Sequence, residues 1–99
     1  MPGVNQTVLS ARIAEAAALR YTPAGLPAID LRLEHESEVV EAGQKRQVKL
    51  ELKAVAFGTS AETLVKQVIG SSYRFTGFLA APRNGKHPVL HIQSFELER

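Results

Sequence analysis

The residues of this 99-residue chain whose types and spacing best suit chemistry are cations. Lys45, Arg46, Lys49 and Lys53 follow one another at short intervals, and Arg83 and Lys86 flank the pair Asn84-Gly85, with His87 next in line. Ammonium and guanidinium groups repeated along an extended chain suit a polyanion, because each neutralised phosphate releases condensed counterions. The net charge of +2 conceals this pattern. Residues 1–41 hold three bases against six acids, a balance of −3; residues 42–86 hold eight against two, +6; residues 87–99 hold one against two, −1. The central surplus is either a solvated surface that keeps the protein soluble or a polyanion-binding face.

Other chemistry has less to work with. The histidines His35, His87 and His91 lack the spacing of a metal triad. No serine sits in a nucleophile-elbow context, and there is no glycine-rich phosphate loop. Glu34, Glu36 and Glu38 share one face of an extended strand with carboxyls about 7 Å apart, a spacing open to acid–base work but commoner in an acidic strand end. The absence of cysteine removes disulfides, zinc-thiolate sites, iron–sulfur clusters and thiol nucleophiles. A non-enzymatic protein with no metal and no cofactor is expected. No apolar run approaches the roughly 18 residues of a membrane helix. The segment Met1–Gln6 has no basic stretch followed by an apolar one, as a secretory leader would. The expectation is a cytoplasmic protein that does not bind membranes. With 44% apolar and 22% charged residues, the chain reads as one folded domain over residues 1–99.

Period-two alternation places the cations on strands. Ala28–Glu34 turns Ile29, Leu31 and Leu33 to one face and Asp30, Arg32 and Glu34 to the other; Val48–Ala54 separates Val48, Leu50, Leu52 and Ala54 from Lys49, Glu51 and Lys53. Tyr73–Leu79 alternates less cleanly, with Tyr73, Phe75 and Leu79 on a common face. In Val89–Leu97 the pairs Leu90/Ile92 and Phe95/Leu97 have opposite parity, which one β-bulge between them would reconcile. Thr7–Ile13 reads as a strand; Ala14–Arg20 has helix propensity, yet tertiary context can extend the strand through it. Thr59-Ser60-Ala61-Glu62 reads as a capping box opening a helix of about ten residues with an apolar stripe of Ala61, Leu64, Val65, Val68 and Ile69, closed by Gly70. Tyr21–Pro27 reads as a turn, Glu38–Lys45 as a polar loop, and Asn84-Gly85 as a two-residue hairpin tip.

The order is strand, strand, strand, helix, strand, strand. This predicts an all-β protein: a five-stranded OB-fold barrel with one short helix between strands 3 and 4, a fold that commonly binds oligonucleotides. In that fold Arg32, Lys45, Arg46, Lys49 and Lys53 border one groove with Arg83 and Lys86 of the last hairpin. Of six aromatic residues, most follow core parity, and Tyr21 and Phe57 are the only ones placed to stack on bases. Binding is therefore expected to lean on charge and to be salt-sensitive.

In detail the chain resembles the bacterial primosomal replication protein N (PriB) family, a relative of single-stranded DNA-binding protein. The resemblance rests on Val8-Leu9-Ser10, Thr22–Pro27, Leu33-Glu34-His35 with Ser37, Glu41-Ala42-Gly43 with Arg46-Gln47, Gly77-Phe78, Asn84-Gly85, Val89-Leu90-His91 and Glu96-Leu97. It implies an OB-fold homodimer that binds single-stranded DNA in replication restart, partners the restart helicase and other primosome proteins, and performs no catalysis. It also implies DNA contacts at Arg20, Arg46 and Arg83. The chain departs from the family where its best-known members carry ring side chains, here Gln44 and Lys49, and where they carry bases, here Glu36, Ala81 and Pro88. Lost stacking, worth about 1–3 kcal/mol per base, implies weaker and more salt-dependent binding. An alternative is a primosome adaptor with weak DNA binding, in which the acidic stretch Glu34–Glu41 matters as much as the bases. Open barrel edges and a thin core invite a partner surface, and Val8 and Ala11 are expected to form part of it.

Overall fold

The alternating segments become strands in the computed structural model, which describes residues 3–98. Met1 and Pro2, part of the leader reading, and Arg99, part of the charge count, lie outside the described residues. The strands are β1 (Thr7–Ala16), β2 (Arg20–Tyr21), β3 (Pro27–Glu41), β4 (Gln44–Phe57), β5 (Ser72–Ala80) and β6 (Val89–Leu97), with helix α1 (Thr59–Leu64) between β4 and β5. β1 pairs with both β5 and β3, so the order β1-β5-β6-β4-β3 returns to β1 and closes a five-strand ring, with short β2 added beside β3. This is the OB-fold expected from the chain order. No helix among the described residues is long and apolar enough to cross a membrane.

Closure depends on local irregularities. β1 must leave β5 and join β3, and a bulge between Ile13 and Glu15 makes that bend. Pairing of Glu15 with Arg32 and Ala16 with Leu31 draws this alanine-rich segment into the sheet, against its helix propensity. A second bulge sits where expected on β6: Thr76 pairs with Ser94 but Gly77 with Ile92, leaving Gln93 extra. Leu90 and Ile92 are buried and Phe95 packs on the core, whereas Leu97, also expected inward, remains exposed at the strand end. The core is built from Ile13, Ile29, Leu33, Leu64, Phe75 and Leu90, all under 2% exposed. Deleting a side chain such as Phe75 costs about 3–5 kcal/mol.

Four expectations are overturned. The segment Glu38–Lys45 is not a loop: β3 and β4 run to a two-residue turn in which Ala42 (φ 51°) and Gly43 (φ 77°) are both left-handed, as a type I′ hairpin requires. Beyond Leu31–Glu34 on one side and Ala54–Ala56 on the other, neither strand has an outer neighbour, so the hairpin extends as a two-stranded arm. The helix spans 6 residues rather than about ten, and Gly58 (φ 70°), not Thr59, is its N-cap, with no side-chain cap bond. Gly58 N donates to Pro27 O, Gly70 N to Ile13 O and the Tyr73 hydroxyl to Gln67 Oε1, so tertiary bonds outrank the local helix signals. Gly70 is left-handed, as expected, but Val65, Val68 and Ile69 are exposed. Asn84-Gly85 does not form a two-residue tip either: β5 and β6 are joined by residues 81–88, with a turn in which Gly85 N donates to Pro82 O. Finally, Ala11 belongs to the core and is 4% exposed, which removes it from any partner surface; Val8 is 58% exposed.

Candidate nucleic-acid interface

Because side chains alternate along a strand, the outward face of β3 and β4 can be read off their register. From the arm tip downward it carries Val40–Lys45, Glu38–Gln47, Glu36–Lys49, Glu34–Glu51, Arg32–Lys53, Asp30–Val55 and Ala28–Phe57. On this face four bases (Lys45, Lys49, Lys53, Arg32) meet five acids (Glu38, Glu36, Glu34, Glu51, Asp30). The basic segment of the sequence is therefore laid beside the acidic one, and the ladder has no basic surplus.

The sequence-selected cations fall into two groups. Arg32 is held by three carboxylates: Glu15 at 2.6 Å, Glu51 at 3.0 Å and Glu34 at 3.1 Å. Arg20 donates twice to Asp30, at 2.7 and 3.2 Å. Hydrogen bonding and the charge of Asp30 raise the Arg20 pKa further, and the hydrogen bond from Arg32 to Glu15 does the same for Arg32. A raised folded-state pKa means a contribution present below the ordinary arginine value and lost only as pH climbs past it. Both guanidinium groups thus stay charged throughout the neutral range. Arg46 pairs with Glu41 at 2.6 Å, but both groups are more than half exposed, and such a pair contributes about 0–1 kcal/mol, so a phosphate can replace the carboxylate. Lys45, Lys49, Lys53, Arg83 and Lys86 are exposed and form no ion pair among the described residues.

A cleft of about 480 Å³ is lined by Arg32 and Lys53 with Glu15, Asp30 and Val89, the residue that follows loop 81–88; Arg83 and Lys86 do not line it. A second cleft, of about 540 Å³, opens where the arm leaves β1 and is lined by Arg12, Glu34, Glu36, Lys49, Glu51 and Glu98 among others. At that fork His35 ties the arm to the barrel. Its Nδ1 donates to Ser10 O at 2.6 Å, which in the neutral ring leaves Nε2 to accept from the Ser37 hydroxyl at 2.8 Å. The Leu33-Glu34-His35 and Ser37 motif thus has a structural role.

The two aromatic candidates are accessible: Tyr21 is 65% and Phe57 37% exposed. Phe78, opposite in parity to Tyr73 and Phe75, lies on the outward face of β5 and is half-buried, stacked on half-buried His91 with ring centroids 4.8 Å apart; the sequence reading did not single it out.

Comparisons with known proteins agree with this architecture. A family model described as "another single-strand binding protein family" matches residues 5–94. Replication restart protein PriB of Bordetella pertussis is 50% identical over 91 residues, covering 91% of this chain and 85% of that protein. PriB of Neisseria gonorrhoeae is 40% identical over 93 residues, covering 93% and 92%. The solved PriB structure from Ralstonia solanacearum superposes with a TM-score of 0.90 at 33% identity, covering 98% of this chain and 100% of that one. Single-stranded DNA binding protein from Thermus aquaticus shares the fold, with a TM-score of 0.78 at 22% identity over 100% of this chain and 52% of that one.

Proposed function

Since the chain belongs to the replication restart PriB family of single-strand binding proteins, we propose that it binds single-stranded DNA during replication restart, without catalysis, and assists the restart helicase. The observation that carries this reading is the set of cations with no ion pair among the described residues. Lys45, Lys49 and Lys53 along β4, with Arg83 and Lys86 in the loop that ends beside Lys53, offer phosphate contacts at intervals along an extended path. Arg46 joins them by exchanging Glu41 for phosphate, whereas Arg20 and Arg32 chiefly shape the groove. Tyr21 and Phe57 supply stacking surfaces.

The barrel works as a homodimer in this reading. Along Thr7–Ser10, β1 pairs with β5 on one side only, since its pairing with β3 begins at Arg12. Val8 stands exposed beside that open edge, and an unpaired edge is a template for a second strand. Sedimentation at micromolar concentration should give a species of twice 10.8 kDa; a clean monomer removes the dimer.

A second reading, the primosome adaptor, is favoured by the acids that equal or outnumber the bases on the outward β3–β4 face. Lys49→Glu with Arg83→Glu separates the two. A DNA binder loses at least about tenfold in affinity for oligo-dT and loses helicase stimulation with it. An adaptor loses the DNA and keeps the stimulation.

A further inference from the structure

The arm that carries Lys45 and Arg46 leaves the barrel at a single fork, and one side chain spans it. The β1–β3 ladder ends at Arg12–Glu34, and along Thr7–Ser10 β1 pairs with β5 alone. From His35–Leu50 to Glu41–Gln44, β3 and β4 have only each other among the described residues. A two-stranded ribbon on its own is marginally stable and free to tilt. His35 is the first residue of β3 past the last pair shared with β1. Ser10 O can only accept, so His35 Nδ1 donates to it at 2.6 Å, while Nε2 meets the Ser37 hydroxyl at 2.8 Å. One ring thereby joins the barrel to two successive inward positions of the arm. Ser10 is itself held, since its hydroxyl donates to Glu98 Oε2 at 2.7 Å and Glu98 N donates to Ser72 O at 3.1 Å. The other tie at the fork is the ion pair of Arg12 with Glu34, which is open to water and holds weakly there.

The arm is a lever for the cations on it. Lys45 faces Val40, five residues beyond His35 and about 17 Å along the strand, whereas Lys49 faces Glu36, one residue beyond. A tilt of about 20° at the fork, no more than the ordinary twist between neighbouring strands, would move Lys45 by about 6 Å and Lys49 by about 1 Å. Only the first displacement exceeds the roughly 3 Å length of a hydrogen bond. We propose that His35 is a positioning residue for DNA binding: by latching the arm to β1 it sets Lys45 and Arg46 in line with Lys49 and Lys53. This inference rests on the single-stranded DNA reading and adds to it a residue that acts without touching the strand. An arm fixed before the strand arrives loses little freedom on binding, which is how preorganisation raises affinity. Lys53, Arg83 and Lys86 lie on the barrel side of the fork and are independent of the latch.

The test reads oligo-dT affinity by fluorescence anisotropy in variants combined pairwise. His35→Leu, which removes both hydrogen bonds, should lower affinity at low salt about fivefold and flatten the salt slope by about 1.4, the share of two phosphates on a single strand. In a Lys45→Gln, Arg46→Gln background the same substitution should cost less than about twofold, because the groups it positions are already gone. In an Arg83→Gln, Lys86→Gln background the loss should persist in full. His35→Asn, whose amide N–H stands where Nδ1–H does, should restore most of the affinity. A role in stability alone gives neither the dependence on background nor the rescue. Ser37→Ala removes only the second bond and gives a smaller loss with the same background dependence, which keeps the comparison open if His35→Leu does not fold. Wild-type affinity in the His35 and Ser37 variants overturns the latch and leaves the single-strand reading standing. So does a loss undiminished in the Lys45→Gln, Arg46→Gln background, or a His35→Asn variant as weak as His35→Leu. Failure of the wild-type protein to bind oligo-dT overturns both.

Discussion

The upper and lower halves of one strand face are built on different principles. Above Asp30–Val55 the outward face of β3 and β4 is a ladder in which acids match bases in number, with Arg32 held by three carboxylates while Lys45, Lys49 and Lys53 form no ion pair among the described residues. Below it the face turns aromatic and runs from Phe57 over His91 to Phe78, while loop 81–88, whose Arg83 and Lys86 form no ion pair among the described residues, ends level with Lys53. The comparison teaches that a basic stretch of sequence is not a basic surface. Antiparallel pairing sets Lys45–Lys53 against Val40–Arg32, with Glu34, Glu36 and Glu38 among them, and what remains for a polyanion is the set of cations without an ion pair among the described residues.

The largest expected effect breaks the lower region. Gly77→Ala places a methyl group against a backbone carbonyl that cannot rotate away, so about 3 kcal/mol or more of stability should be lost. For a domain of this size that lowers Tm by more than about 10 °C in a thermal melt. An unchanged Tm would mean that β5 and β6 do not close as described.

A smaller effect concerns the ladder. Glu36→Gln with Glu38→Gln removes two carboxylates from beside Lys49 and Gln47. If the ladder restrains its own lysines, affinity for oligo-dT at low salt should rise about threefold, because like-charge repulsion of phosphate is relieved. A fall in affinity would show that these acids organise the lysines instead of opposing them.

The smallest effect is at the arm tip. Ala42 sits at φ 51° in a turn that favours Asn-Gly, so Ala42→Asn should stabilise the protein by about 0.5 kcal/mol without altering DNA affinity. A rise in Tm of a few degrees checks it. A loss of affinity would place the tip in contact with DNA.

Much of the barrel was legible in the sequence, because burying one face of a strand imposes a period of two. Ile29, Leu31 and Leu33 show it on β3, and the change of parity between Ile92 and Phe95 revealed the bulge at Gln93. The arm was not legible. With neither face buried, Val39 and Val40 follow one another without a pattern, and a two-stranded ribbon in water looks like a polar loop. The short helix was obscured because Gly70 N donates to distant Ile13 O and Gln67 Oε1 accepts from the Tyr73 hydroxyl, bonds that hold the segment after Leu64 and that helix propensity does not record. The cations themselves were visible, but their availability was not. That Arg32 meets Glu15, Glu34 and Glu51 follows from register across three strands, which residue types do not encode.

The most direct test of the central claim, that unpartnered cations and not the total basic count engage phosphate, is the salt dependence of oligo-dT binding in two double variants. Each phosphate contact on a single strand contributes about 0.7 to the slope of log affinity against log salt. Arg83→Gln with Lys86→Gln should therefore flatten the wild-type slope by about 1.4, whereas Arg20→Gln with Arg32→Gln should leave the slope unchanged. A slope flattened by the arginine pair as much as by the loop pair would contradict the claim.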